Sequence, residues 1–272
     1  MAGPHLVGRW LKHWHQRREN AALQRRAIPD DLWKRTLVRY PFLRRRDDPG
    51  AADLRRLTSL FLDRKEFNAV GDLRLTDAMV VAIAAQAVLP VLRLGLHHYD
   101  SFVGLVVHAD PVRAPREVTD EDGIVHTYEE VLAGEAVQGG PVMLSWRDVR
   151  AAGRQDGGAY NVVIHEFAHV LDLALGQEGG QPQLPADLQP AAWRAVLTSS
   201  FEAHGRRVRA GETTAVDGYG AESLTEFFAV ATEAFFITPA EIKNEHPALY
   251  GMLVRCYRQD PVAEQPVVKR RA

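Results

Sequence analysis

The segment His165-Glu166-Phe167-Ala168-His169 carries two imidazoles four residues apart with a carboxylate beside the first. On a helix that spacing puts both rings on one face about a turn apart, which suits two bonds to one metal ion. Glu166 then lies about 100° around the helix from His165, poorly placed to bind the same ion but within reach of a water in an open coordination position. A carboxylate so placed takes the proton of a water attacking a carbonyl and passes it to the leaving amine, the chemistry of a metal-dependent peptidase. The competing reading is a helix whose histidines hydrogen-bond within the core while Glu166 faces solvent. Two polar rings and an acid among Val162, Val163, Ile164, Phe167, Val170 and Leu171 would then need partners.

A catalytic zinc commonly has three protein ligands, so one must come from elsewhere in the chain. One class of peptidase supplies a histidine six residues after the second, but position 175 is leucine. Attention shifts to a carboxylate on a later helix. Glu222, Glu226 and Glu233 lie in one stretch, and 222/226 and 226/233 each share a helical face, so periodicity leaves the three open. Glu226 has a further reading, because Ser223-Leu224-Thr225-Glu226 is a capping-box pattern in which the glutamate turns back to the backbone. Asp172, three residues after His169, is a candidate to orient a ligand imidazole or, equally, to form a surface ion pair. His97, His98, His108, His126, His204 and His246 lack ligand spacing and read as structural or solvated.

The chain that must position these groups reads as mainly helical in its first third. A loosely amphipathic helix over 10–26 ends at Ile28-Pro29-Asp30, which offers Asp30 as the next N-cap. Leu54, Leu57, Leu60 and Phe61 recur at helical spacing, and Thr76 can cap a long apolar helix over 77–92. The short apolar runs 102–109 and 141–146 read as strands, the second either a core strand or an exposed edge that pairs with an extended peptide. After a loop at 153–158, the motif helix spans 159–175 and stops at Gly176. Helices follow over 191–209 and 223–236, then one more before Asp260-Pro261 and a tail, 262–272, that reads as frayed. The fold class is thus α+β, mainly helical, with a small antiparallel or mixed sheet ahead of the motif helix.

Composition sets outer limits. With 272 residues, 46% of them hydrophobic, the chain can bury a large core in one domain or two. The lone Cys256 excludes an intramolecular disulfide and a cysteine-rich zinc ribbon, so a metal must use histidines and carboxylates. The start of the chain has no apolar run of secretory length, and the longest apolar stretch, 78–92, is broken by Gln86 and Pro90. The expected address is cytoplasmic, with no membrane partner. Residues 1–46 carry twelve Lys/Arg against three Asp/Glu, while the remainder carries 21 against 32. That reads as a solvated basic helix facing an acidic body, without direct nucleic-acid binding, although such an arm can attract an acidic partner.

The segments VIHEFAHVLD, GPVMLSW and LPVLRLGL, with Tyr219 seven residues before Glu226-Phe-Phe-Ala-Val, resemble the Mlc titration factor A family of bacterial zinc peptidases. The resemblance runs in order from about residue 55 to Pro261, and the family's catalytic part is similar to the protease domain of anthrax lethal factor. It implies a zincin-like fold holding one zinc on His165, His169 and Glu226, with Glu166 as base and Tyr219 as a phenol near the metal. Tyr219 also makes sense chemically, since a phenol beside a zinc donates to a developing oxyanion, while its plainer reading is a loop aromatic covering the core. The expected organisation is a basic helical arm over 1–50, a peptidase domain over 51–261 (helical part 51–98, catalytic part 99–261) and a flexible tail. The expected function is peptide hydrolysis, by resemblance aminopeptidase-like on short peptides, with an Mlc-like transcriptional repressor as a further partner. The alternative is a regulatory binding protein that sequesters such a repressor and keeps a vestigial metal site.

Overall fold

A computed structural model describes residues 4–119, 125–152, 158–174 and 179–264. Three helices open the chain, α1 (Pro4–Arg25), α2 (Asp30–Arg39) and α3 (Asp48–Arg64). After β1 (Glu66–Ala69) and α4 (Asp77–Ala87) come β2 (Gly104–His108), β3 (Val112–Thr119), β4 (Val125–Leu132), β5 (Gly134–Ala136) and β6 (Val142–Ser145). The remainder is helical, with α5 (Trp146–Ala151), α6 (Val162–Leu173), α7 (Pro190–Arg209), α8 (Leu224–Ile237), α9 (Pro239–Glu245) and α10 (Pro247–Tyr257). This is the expected mainly helical α+β class.

Local chemistry explains where the elements differ from expectation. Thr76 does cap α4, accepting from Met79 N at 3.4 Å, but the helix stops at Ala87, because Pro90 lacks the N–H and crowds the preceding turn. Asp30 is the first helical residue of α2 rather than its cap, and its carboxylate takes Arg55 of α3 at 2.6 Å. The motif helix begins later than expected, behind Asn161, whose side chain accepts from Ile164 N at 3.0 Å. Of the expected loop only Gly158 is described, and the stop at 176 and the tail beyond 264 fall outside the described residues.

The main sheet has the order β1-β2-β6-β5, parallel through its first three strands. Strand β5 runs antiparallel to β6, pairing Gly134 with Leu144 and Ala136 with Val142. Strand β6 is therefore interior and β5 is the edge, which corrects the edge-strand reading of 141–146. Strands β3 and β4 form a separate antiparallel pair.

One apolar core joins the helices to this sheet, and it fixes how α6 is rotated. The Phe167 ring lies 4.9 Å from Tyr99, 5.6 Å from Phe102 and 5.8 Å from Phe61, mostly edge to face. Val163, Ile164 and Ala168 are buried with it, each large side chain contributing about 1.5–3 kcal/mol. With that face committed to the core, His165 and His169 turn toward α8. The basic α1 packs on α3 through Ala22 and Leu23, and Arg25 reaches Asp63 at 2.9 Å. Among the described residues no helix is long and apolar enough to cross a membrane.

Candidate active site

His165 and His169 leave the same face of α6 with ring centroids 4.7 Å apart and Nε2 atoms 3.1 Å apart. Glu226, in the first turn of α8, sets Oε2 3.1 Å from His165 Nε2 and 3.5 Å from His169 Nε2. That oxygen is buried and makes no aligned hydrogen bond. Around a tetrahedral ion with bonds of about 2.0–2.1 Å, neighbouring ligand atoms stand about 3.3 Å apart. The three separations match that edge length, so the donor set fits a divalent ion with one position left over. Ser223 accepts from Glu226 N at 3.1 Å, so half of the capping box forms, but the glutamate side chain goes to the histidines instead of the backbone.

The electrostatics run the same way. Burial works against charge at His165, yet Glu226 and Glu233 hold its pKa well above the ordinary imidazole range. Burial likewise opposes the Glu226 carboxylate, but His165 and His169 hold its pKa at about 2. The cluster thus favours positive charge at its centre, which a metal ion supplies more fully than a proton.

Glu233 lies two turns beyond Glu226 and is only 3% exposed. Its Oε1 stands 2.8 Å from His165 Nδ1, and Oε2 accepts from Asn161 N. This carboxylate therefore accepts the hydrogen bond of His165 Nδ1–H, so that Nε2 is the nitrogen left to bind an ion. Asn161 also donates from Nδ2 to the fully buried Gln86 of α4 at 2.9 Å, which ties the start of α6 to the core. Of the three candidate glutamates, then, only Glu226 meets both Nε2 atoms. Glu222 is exposed at the end of a 3-10 turn (Gly218–Ala221), and Glu233 supports a ring from behind.

Glu166 is 5% exposed, against the reading that would put it in solvent. Strand β5 crosses so close that a Cβ on Gly134 would fall 2.5 Å from Glu166 Oε1. Burial pushes the carboxyl up to about 7, with His165 and His169 pulling the other way. A carboxylate poised near neutral pH is suited to taking and returning a proton. Tyr219 sits on the 3-10 turn, 41% exposed, its ring 6.2 Å from that of His165. Glu166, His165 and Tyr219 line two adjoining cavities of about 310 Å³ each. One has apolar walls from Val131, Ala133, Val162 and Val230, and the other is bordered by β5 and Glu226.

Asp172 does not touch an imidazole. It is fully buried and accepts from the backbone N–H groups of Gly179 at 3.0 Å, Gly180 at 2.8 Å and Gln181 at 2.5 Å, holding the chain after α6. Glu233 in the orienting role, Asn161, Gln86 and Gly134 were not found from the sequence. A polar Gln86 among the apolar residues of α4 is the sequence signal of its bond to Asn161.

The family model for glucose-regulated metallo-peptidase M90 matches residues 11–258. An uncharacterized protein of Synechocystis sp. is 33% identical over 255 residues, 92% of this chain and 91% of that protein. Mlc titration factor A of Edwardsiella ictaluri is 35% identical over 225 residues (82% and 85% of the two chains), and that of Pectobacterium atrosepticum 34% over 230 residues (83% and 85%). A match that takes in both α6 and α8, and with them the cluster that fits an ion, makes this chain a metallopeptidase of the glucose-regulated M90 family.

Proposed function

We propose that the chain hydrolyses short peptides from their amino end, with zinc held by His165, His169 and Glu226. Zinc bound there would polarise the scissile carbonyl and acidify a water beside it. Glu166 takes the proton of the attacking water at its carboxylate and passes it to the leaving amine. Tyr219 donates its phenolic hydrogen bond to the carbonyl oxygen as negative charge develops. Glu233 keeps His165 in the tautomer that leaves Nε2 free, and the edge of β5 can pair with an extended substrate. The observation that carries this reading is the set of three facing donor atoms beside a buried carboxylate with a pKa of about 7. The acidic Asp217 in the cavity supports recognition of a free ammonium, and the apolar walls support an apolar side chain.

The relatives named Mlc titration factor A support a second role, binding of an Mlc-like transcriptional repressor. A pure sequestering protein would need neither Glu166 nor Tyr219, which argues for retained chemistry. The test is a panel of amino-acyl p-nitroanilides, free or acetylated at the amino end, with zinc-loaded and chelated protein. Hydrolysis of the free forms alone, lost with chelator, supports the proposal. Equal cleavage of acetylated substrates removes the aminopeptidase reading, and no cleavage by loaded protein favours sequestration.

A further inference from the structure

Away from that centre, α7 and α9 bring together His204, Glu245 and His246, residues with no ligand spacing in the sequence. His204 is fully buried and His246 is 7% exposed. His204 Nε2 stands 3.1 Å from the backbone carbonyl of Asp217. A carbonyl only accepts, so Nε2 carries the proton and Nδ1 presents a lone pair, buried and without a hydrogen-bond partner. Glu245 divides its oxygens. Oε2 accepts from Ala215 N at 2.9 Å and pairs with Arg207 Nη1 at 2.6 Å, whereas Oε1 is buried with no aligned hydrogen bond. His246 Nε2, 3.2 Å from that Oε1, is also buried and unsatisfied. The three residues each bring one ligand atom to within 4.8 Å of the other two.

We propose that His204 Nδ1, Glu245 Oε1 and His246 Nε2 form a second, structural site for a divalent transition-metal ion of the zinc type. Two ligands on one tetrahedral ion stand about 3.3 Å apart, a separation that His246 Nε2 and Glu245 Oε1 match at 3.2 Å. Charge does not oppose the ion, because Arg207 is already shared with Glu212, whose Oε2 takes its Nε at 2.7 Å. Two buried imidazoles and a carboxylate are the donor chemistry such an ion prefers. Its structural consequence is local. The ligand residues grip Ala215 N and the Asp217 carbonyl, and the Asp217 side chain caps the turn that carries Tyr219, accepting from Tyr219 N at 2.9 Å.

The test uses full-length protein stripped of metal, reloaded with zinc chloride, dialysed and analysed for metal. In His165→Ala/His169→Ala, which removes two ligands of the peptidase centre, one zinc per chain should remain, and adding it should raise Tm by about 5 °C. No bound zinc in that variant means a water-filled pocket only and overturns the proposal, whatever becomes of the peptidase reading. Adding His246→Gln should remove the remaining equivalent, and an undiminished count there also overturns it. If that triple variant does not fold, His246→Gln alone decides the point, since it should bind one equivalent fewer than wild type and an equal count refutes the site.

Discussion

Replacing Glu166 with glutamine should stabilise the metal-free protein while ending its chemistry. Burial raises the carboxyl from 4.5 to about 7 in the fold. Because the folded value lies above the unfolded one, the penalty is absent below pH 4.5, grows between 4.5 and 7, and is constant above. At 1.36 kcal/mol per pH unit the charged side chain costs about 3 kcal/mol at pH 8 and under about 1 kcal/mol at pH 5. Glutamine carries no such charge at either pH. In a chain of this size 1 kcal/mol moves Tm by about 2–4 °C, so Glu166→Gln should melt roughly 6–12 °C above wild type at pH 8, and much closer to it at pH 5. The assay is thermal unfolding followed by circular dichroism, with chelator present throughout. A gap of equal size at both pH values, or a less stable variant at pH 8, would show that Glu166 is not the desolvated carboxylate described, and its assignment as the base would lose its physical ground.

Three further substitutions separate the roles of neighbouring groups. Tyr219→Phe should lower kcat on the order of 100-fold with KM, zinc content and Tm nearly unchanged, and a loss that instead tracks Tm would make the tyrosine structural. Glu233→Gln should weaken zinc binding about 10–100-fold in competition with a chromophoric chelator, because one neutral amide oxygen replaces the two carboxylate oxygens that serve His165 Nδ1 and Asn161 N, and an unchanged Kd would contradict the orienting role. Gly134→Ala should displace Glu166, which a Cβ would meet at 2.5 Å, and lower kcat at least about tenfold while the metal stays bound, as steady-state rates and metal analysis on one preparation would record.

What the sequence disclosed depended on how local each feature is. The motif on α6 was readable because its geometry is contained in five residues of one helix. The third donor was narrowed to three glutamates by spacing, but choosing Glu226 from the residues alone would have required the packing of α8 against α6. Asp172 had a plausible spacing from His169, and the backbone N–H groups of Gly179 to Gln181 took it instead. The strands β2 and β6 showed as apolar runs, whereas β5 is three residues, Gly-Glu-Ala, defined by its pairing with β6 and by what it covers. Nor could spacing join His204 to Glu245 and His246, which lie about 40 residues apart and meet only when α7 and α9 pack around the Tyr219 turn.

The most direct measurement is zinc-edge anomalous diffraction from crystals of the loaded protein. The site assignment predicts a peak bonded at about 2.0–2.2 Å to His165 Nε2, His169 Nε2 and Glu226, with Glu233 remaining on His165 Nδ1. A peak ligated by Glu233 or Glu222 in place of Glu226, or no peak between the two imidazoles, would contradict it.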